Sequence, residues 1–240
     1  MKVAKLTRSV RKVLPLKYTG AVIVAAGSAS RMQGIDKVMA CIGDEPMIVR
    51  TVRAFQICDA IREIVVVTRQ DLISQIMQLC SSFDKVKAVV AGGNSREESV
   101  QSGIQALSKK VKLIAVHDGA RPFVTHQLID RCVRAAHSYH AAAPGIPVKD
   151  TIKVTTGGMV MATPDRNRLQ AIQTPQVFDS DLLRCALHNA KDNKLQITDD
   201  CSAVEQLGMS IRIVQGDERN IKVTTPMDLK VAQLLLEEME

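Results

Sequence analysis

Aromatic residues are scarce in this chain, and tryptophan is absent. Phe, Tyr and Trp make up 2% of the 240 residues, which leaves little surface on which nucleic-acid bases could stack. The net charge of +7 would suit a nucleic-acid-binding protein, but the basic residues are scattered apart from the N-terminal segment and Lys109-Lys110. Small anionic substrates explain this charge at least as well, and we therefore expect no nucleic-acid partner.

Long apolar runs and patterned cysteines are also absent. No segment reaches the roughly 18 consecutive apolar residues of a membrane helix, and the basic residues 1–19 lack the apolar stretch of a signal peptide. The six cysteines are widely spaced with no CxxC motif, which is atypical of a metal cluster or a disulfide framework. These features predict a cytoplasmic protein with reduced thiols and no membrane partner.

Short β-branched runs alternate with amphipathic segments through the first half of the chain. The predicted strands are Ala21–Ala25, Glu63–Thr68, Val86–Val90 and Leu113–His117. The predicted helices are Met47–Ile57, Leu72–Ser81, Glu97–Leu107 and His126–Ser138. Because the strands are almost continuously apolar, both of their faces must be covered. The pattern predicts an α/β, Rossmann-like fold with a mostly parallel sheet and helices on both faces.

The region from residue 143 onward breaks this alternation. Residues 147–164, PVKDTIKVTTGGMVMATP, alternate around a Gly-Gly pair and predict a projecting β-arm at about 143–168. Further elements are predicted as helices at Ser180–Asn189, Cys201–Leu207 and Pro226–Met239 and a strand at Ile211–Val214. With no repeat and no low-complexity linker, the sequence predicts a single domain over residues 20–240 after a basic extension over residues 1–19.

The turn after the first strand is suited to bind phosphate. Ligands of open α/β sheets bind beyond the carboxyl ends of the strands, and here Gly27-Ser28-Ala29-Ser30 leads to Arg31 and then Lys37. Small residues let backbone N–H groups approach a phosphate, and the two cations would stabilise its charge. The segment matches neither a Walker A loop nor an intact GxGxxG motif, and a tight structural turn is the alternative.

Two further strand ends carry polar motifs. Gly92-Gly93 follows the third strand and suits the close approach of a flat ring or ribose, with Ser99 as a hydrogen-bonding group. The alternative is a loop in which Ser95 caps the next helix. Asp118, after the fourth strand, and Arg121 suit a divalent metal and an anionic substrate respectively, and the alternative is a salt bridge across a turn. The histidines have no recognisable catalytic or metal-binding pattern.

Together, these segments resemble one family, the 2-C-methyl-D-erythritol 4-phosphate cytidylyltransferases of the non-mevalonate isoprenoid pathway. The motifs that carry the resemblance occur in the family's order: AAGSASRM…DK, AGGNSREESV, VHDGARPFV, PVKDTIK, PDRNRLQAIQTPQVF, ITDDCSAVEQLG and DERNIKVTTPMDL. The match runs from about Gly20 to the C-terminus and leaves only the basic extension outside it. One glycine motif would be unspecific, but seven motifs in order are specific.

The resemblance implies a nucleotidyl transfer. The phosphate of methylerythritol phosphate attacks the α-phosphorus of CTP in line, and pyrophosphate leaves. The resemblance assigns Arg31, Lys37 and Lys222, together with Mg²⁺, to the charge that accumulates during transfer. No general base is required, because the attacking phosphate is already ionised.

The resemblance also implies roles for the other residues. The nucleotide would be bound by Ala25, Ala26, Gly27, Gly92, Gly93, Ser99 and Asp118, the last of which would also bind the metal. The acceptor substrate would be bound by Arg121, Thr151, Arg166 and Thr174. Members of the family form homodimers in which the arm reaches the neighbouring subunit's site, so Thr151 and Arg166 would act across the interface.

The first loop departs from the family's pattern at two points. Ala29 stands where many relatives have a second glycine, and Asp36 stands where a proline is common, in a segment about one residue short. Alanine disfavours a positive φ, so the loop must adopt an ordinary or slightly strained backbone there. Because the two cations of this loop are retained, we expect activity to survive both changes.

Two other functions fit parts of the sequence. A ribitol 5-phosphate cytidylyltransferase would have the same fold and chemistry. Ala120 and the segments VKDTIK and DRNRL argue against it, because that group tends to differ at these positions. A non-catalytic nucleotide-binding protein is the second alternative. Simple binding would not need all three of the cations Arg31, Lys37 and Lys222 that are expected at separate strand ends, so the sequence favours an enzyme.

Overall fold

An eight-stranded mixed sheet forms the centre of the molecule. The computed structural model of the chain describes residues 15–27 and 38–239. Within these residues the strands are β1 (Thr19–Val24), β2 (Cys41–Ile42), β3 (Glu45–Pro46), β4 (Glu63–Thr68), β5 (Val86–Ala91), β6 (Leu113–Asp118), β7 (Ala141–Pro147), β8 (Val154–Thr156), β9 (Met159–Ala162), β10 (Gln170–Ile172), β11 (Gln176–Asp179) and β12 (Arg212–Gln215). The helices are α1 (Met47–Gln56), α2 (Ile73–Leu79), α3 (Arg96–Ala106), α4 (His126–Tyr139), α5 (Ser180–Asp192), α6 (Asp200–Glu205) and α7 (Pro226–Glu237).

The sheet has a parallel half and a mixed half. Its order is β10-β7-β11-β6-β1-β4-β5, with β12 paired to β7. Strand β1 pairs in parallel with β4 and β6, and β5 pairs in parallel with β4. Strand β11 runs antiparallel to both β6 and β7, and β10 runs antiparallel to β7. The predicted α/β fold with a mostly parallel sheet is confirmed, whereas β7, β10 and β11 were not predicted as strands of this sheet.

Alternating side chains of the central strands pack into two separate cores. Along β1, Ala21 and Ile23 belong to the core that also includes residues of α1, α2 and α4, whereas Val22 belongs to the core on the opposite face, with residues of α3, α5 and α6. Along β4, Ile64 and Val65 divide between the two faces in the same way. Because both faces are covered, the strands are apolar throughout and appear in the sequence as unbroken runs.

The strand ends that carry the sequence motifs lie at one edge of the sheet. Strands β1, β4, β5 and β6 are parallel, so their carboxyl ends meet there. Strand β7 points the same way because β11 is antiparallel to both β6 and β7, and β12 is parallel to β7. The turns after β1, β5 and β6, the chain after β7 and the segment after β12 therefore all begin at this edge.

A β-hairpin leaves the sheet after β7. Strands β8 and β9 pair antiparallel around Gly157 and Gly158, which have positive φ angles of 56° and 80°. All residues of both strands are exposed. We call residues 148–168 the arm; residues 143–147, at the start of the predicted range, belong to β7 of the central sheet. In the described part of the chain, no helix is both long and apolar enough to cross a membrane.

Candidate active site

A cavity of about 500 Å³ opens at the carboxyl edge of the sheet. Among the described residues, its lining includes Ala25–Gly27 after β1, Gly93–Arg96 after β5, and Asp118 at the end of β6. Lys222, which follows β12, closes another side. Four motifs that are far apart in the sequence therefore share one concave surface.

The turn after β1 and the loop after β5 are in direct contact. A Cβ atom on Gly92 would lie 2.4 Å from Cβ of Ala26 and 2.6 Å from Oγ of Ser99, so a larger residue would force the two segments apart. Ser99 Oγ accepts a hydrogen bond from the Gly93 N–H at 3.2 Å and donates to the Ser95 carbonyl at 2.9 Å. Ser95 caps α3, as one sequence interpretation predicted, while Ser99 holds the glycine loop in place.

Three cations surround the Asp118 carboxylate. Lys222 Nζ lies 2.8 Å from Oδ2, Arg121 Nε lies 3.7 Å from Oδ2, and Arg96 Nε lies 3.9 Å from Oδ1. Burial alone would raise the pKa of Asp118, but Lys222, Arg96 and Arg121 outweigh burial and lower the pKa to about 2. Asp118 is therefore an anion at neutral pH. We call Arg96, Asp118, Arg121, Asp200 and Lys222 the charged floor.

Asp200 anchors Arg96 from beneath the cavity. Arg96 Nη2 donates to Asp200 Oδ2 at 2.7 Å, and the Asp200 side chain is only 1% exposed. Burial raises the pKa of Asp200 above its ordinary value, although the Arg96 guanidinium opposes that shift. Arg96 is thus held between the two carboxylates of the charged floor, with its position set by a buried contact.

Hydrogen bonds tie the Asp118–Arg121 turn to two other segments. Arg121 Nη1 donates to the Asn220 carbonyl at 2.7 Å, and Asn220 Nδ2 donates to the Thr174 carbonyl at 2.9 Å. Thr174 Oγ1 accepts from the Asp118 N–H at 3.1 Å and lies 2.9 Å from Nδ1 of His117. Burial lowers the pKa of His117 to about 3, so the ring is neutral. The turn is fixed on its buried side.

The predicted site residues fall into three groups. Arg31 and Lys37, together with Ala29 and Asp36, lie outside the described residues. Arg121, Lys222 and all residues predicted to bind the nucleotide lie at or beside the cavity. The predicted nucleotide contacts are Ala25, Ala26, Gly27, Gly92, Gly93, Ser99 and Asp118. The other three predicted acceptor contacts are Thr174, which is buried behind Asp118, and Thr151 and Arg166, which are exposed on the arm and do not line the cavity.

Sequence reasoning gave no role to Arg96, Asp200 or His117. All three stand inside motifs that were recognised, but nothing in the spacing pairs Arg96 with Asp200, which are 104 positions apart. Their positions in the predicted elements could have identified them. His117 ends a predicted strand, and Arg96 and Asp200 stand at the start of helices. Such positions meet at one edge of an α/β sheet.

Comparison with known proteins gives one consistent result. A profile of the family described as 2-C-methyl-D-erythritol 4-phosphate cytidylyltransferase matches residues 19–238. A protein of that name from Caldanaerobacter subterraneus subsp. tengcongensis is 42% identical over 221 residues, covering 90% of this chain and 97% of that protein. The crystal structure of 4-diphosphocytidyl-2C-methyl-D-erythritol synthase from Anaerococcus prevotii has a TM-score of 0.84 at 29% identity, covering 92% of this chain and 96% of that one. A cytidylyltransferase structure from Thermus thermophilus has a TM-score of 0.72 at 31% identity, covering 90% of this chain and 98% of that one.

Proposed function

The chain belongs to the 2-C-methyl-D-erythritol 4-phosphate cytidylyltransferase family, and from this premise we propose which of its residues carry the reaction. The enzyme transfers a cytidylyl group from CTP to 2-C-methyl-D-erythritol 4-phosphate in the isoprenoid pathway. We propose that the glycine turns and the charged floor bind CTP, and that Arg121, Thr174 and the arm bind the acceptor. The observation that carries this proposal is the gathering of three cations around one carboxylate at the cavity.

The two touching turns form the proposed nucleotide pocket. Ala25–Gly27 and Gly92-Gly93 present backbone groups with almost no side chain, so a flat base and a ribose can approach closely. Ser99 holds the glycine loop through its bonds to Gly93 and Ser95. Asp118 stands at the end of β6 and is assigned the ribose and metal end of the pocket.

Charge stabilisation is the proposed catalytic principle. The acceptor phosphate forms a bond to the α-phosphorus of CTP while the bond to the pyrophosphate oxygen breaks on the opposite side, and negative charge builds on the non-bridging oxygens. Lys222 pairs with Asp118 at 2.8 Å, yet its side chain is 43% exposed, so its ammonium group can turn to the α-phosphate without leaving the cavity. Arg31 and Lys37 are proposed as the other two catalytic cations, and no general base is needed.

The acceptor pocket is proposed to have a fixed side and a side supplied by the arm. The fixed side consists of Arg121, whose guanidinium is held by Asp118 and by the Asn220 carbonyl, and of Thr174 behind it. The second side is the arm, with Thr151 and Arg166. Within residues 15–27 and 38–239, the one hydrogen bond of the Arg166 side chain is a 3.5 Å contact to the Lys149 carbonyl, so its guanidinium is proposed to be available to an anionic ligand.

The exposed arm supports a proposed homodimer. Its apolar side chains face solvent, with Met159 71% exposed and Met161 66% exposed. Several exposed apolar side chains on one hairpin favour an interaction site, and an isolated two-stranded hairpin is marginally stable in water. We therefore propose that the arm packs on a second copy of the chain and delivers Thr151 and Arg166 to the neighbouring site.

Mg²⁺ fits the proposed site through Asp118. Mg²⁺ in nucleotide sites is held by one or two carboxylates together with substrate phosphates, and Asp118 supplies one deprotonated carboxylate at the cavity. Among the described residues no group of three acidic, His or Cys side chains could hold a metal without substrate. When bound, Mg²⁺ neutralises charge on the triphosphate.

Two wider assignments complete the proposal. Residues 20–240 are proposed as a single nucleotidyltransferase domain, with residues 1–19 as a basic extension. A cytoplasmic location is proposed because CTP is an intracellular substrate and because the cysteines of the described residues are free thiols.

Pyrophosphate release tests the proposed function directly. The purified chain is given CTP and Mg²⁺ with 2-C-methyl-D-erythritol 4-phosphate, with ribitol 5-phosphate, or with no acceptor. We expect release only with the methylerythritol phosphate. Preference for ribitol 5-phosphate would contradict the proposed acceptor substrate. If a folded chain that binds CTP released no pyrophosphate with either acceptor, the proposed catalysis would be contradicted.

A further inference from the structure

We propose that His117 is a positioning residue for the acceptor substrate. Its ring is fully buried and lies behind the cavity, between Thr174 and the Arg121 carbonyl. The inference rests on the proposed function, in which Thr174 and Arg121 bind the acceptor. His117 would orient the hydrogen-bonding groups of these two residues.

The surroundings of the ring determine which nitrogen carries the proton. His117 Nε2 lies 3.3 Å from the Arg121 carbonyl oxygen, and a carbonyl oxygen can only accept, so Nε2 carries a hydrogen. The ring packs on Phe55 with 4.9 Å between ring centroids. Among the described residues, the Thr174 hydroxyl has two hydrogen-bond partners, the Asp118 N–H, from which it accepts, and Nδ1 of His117, so Nδ1 is the group to which its proton can be donated. Nδ1 is therefore bare and can only accept.

The bare Nδ1 fixes the orientation of the Thr174 hydroxyl. Thr174 Oγ1 lies 2.9 Å from Nδ1 of His117 and must donate its only proton there. The same oxygen accepts from the Asp118 N–H at 3.1 Å. A hydroxyl oxygen has two lone pairs, so one remains. Thr174 is 4% exposed, and a substrate group that reaches its hydroxyl oxygen can only donate to it, as a polyol hydroxyl can and an ionised phosphate oxygen cannot.

The same ring also fixes Arg121. Its Nε2–H holds the Arg121 carbonyl, while the Arg121 guanidinium is held by Asp118 and by Asn220. His117 thus couples Thr174, which is 57 positions away along the chain, to a residue of its own turn. One donor and one acceptor on opposite sides of a rigid ring make this coupling possible. The shorter amide of asparagine can replace the acceptor at Nδ1, and an apolar side chain replaces neither group.

Matched variants separate positioning from mere packing. His117→Leu keeps an apolar side chain against Phe55 and removes both hydrogen bonds, whereas the amide oxygen of His117→Asn can still accept from Thr174. We expect His117→Leu to raise the KM for methylerythritol phosphate about 10-fold or more, with the KM for CTP unchanged, and His117→Asn to recover most of that loss. Equal effects on both substrates, equal behaviour of the two variants, or no effect would overturn the proposal.

A second test uses the unsubstituted chain. Proton–nitrogen correlation NMR on histidine labelled with ¹⁵N identifies the protonated ring nitrogen, and the His117 signal is assigned by its loss in His117→Asn. We expect a hydrogen on Nε2 and none on Nδ1; a hydrogen on Nδ1 would overturn the proposal. Because this measurement needs no substrate, its failure is distinguishable from a failure of the proposed cytidylyl transfer.

Discussion

The charged floor and the arm serve one proposed reaction but are built in opposite ways. In the floor, Asp118 and Asp200 are buried and ion-paired before any substrate arrives. In the arm, every residue of β8 and β9 is exposed, and Thr151 and Arg166 do not line the cavity. The floor has its geometry set by the fold, whereas the arm is proposed to acquire its working position on a second copy of the chain. Substitutions in the two regions should therefore fail in different ways.

Lys222→Ala should give the largest loss of activity. Removing a cation that stabilises transition-state charge lowers turnover by about 10²- to 10³-fold, while far-UV circular dichroism stays unchanged because the side chain is 43% exposed. Lys230→Ala, at an exposed position of α7, is the matched control and should retain normal turnover. Near-normal turnover in Lys222→Ala would contradict its catalytic assignment.

Asp200→Asn should give the largest loss of stability. The change removes the buried counter-charge of Arg96 and should lower the free energy of unfolding by about 3 kcal/mol, as measured by urea denaturation. The control is Asp150→Asn in the arm, an exposed aspartate whose change should stay within about 0.5 kcal/mol. If both variants lost the same stability, the contrast between floor and arm would not hold.

The charged floor should also make stability depend on acidic pH. The pKa of Asp118 is about 2 in the folded chain against an ordinary value of 3.8, so the unfolded chain binds more protons between these values. The stabilisation is complete above about pH 5 and is lost as the pH falls toward 2, for a total of about 2 kcal/mol. Asp118→Asn should flatten this part of a pH series of unfolding free energies; an unchanged slope would contradict the ion network.

A charge on the arm should weaken the proposed dimer and spare the fold. Met161 is 66% exposed, and Met161→Glu would place a charge in the proposed interface, so the dimer dissociation constant should rise about 10-fold or more. Analytical ultracentrifugation measures the constant. Met209→Glu, at a 42% exposed position outside the arm, should leave association unchanged, and a monomeric unsubstituted chain would refute the dimer.

The parallel half of the sheet was predictable from the sequence. Strands β1, β4 and β6 are covered on both faces, so they appear as apolar runs, and all four strands and four helices predicted in the first half are present with ends within two residues. The mixed half was not predictable. Strand β7 reads AAAPGIP, and its prolines and glycine signal a turn, although Ala142 and Ala143 pair with neighbouring strands.

The candidate site was predictable in composition but not in contacts. The strand ends and the family resemblance identified Asp118, Arg121 and Lys222, because ligand-binding residues of α/β sheets collect at the carboxyl edge. The pairing of Arg96 with Asp200 and the bond between His117 and Thr174 depend on tertiary packing across many positions. Neither leaves a local pattern in the sequence.

The central claim is that the charged floor binds CTP and the arm binds the acceptor. The most direct test is to measure steady-state rates of Arg166→Ala while CTP and methylerythritol phosphate are varied independently. We predict that the KM for methylerythritol phosphate rises about 10-fold or more, since a charge-assisted contact is lost, while the KM for CTP and the free energy of unfolding stay the same. A rise in the KM for CTP alone would place the arm on the nucleotide and contradict the account.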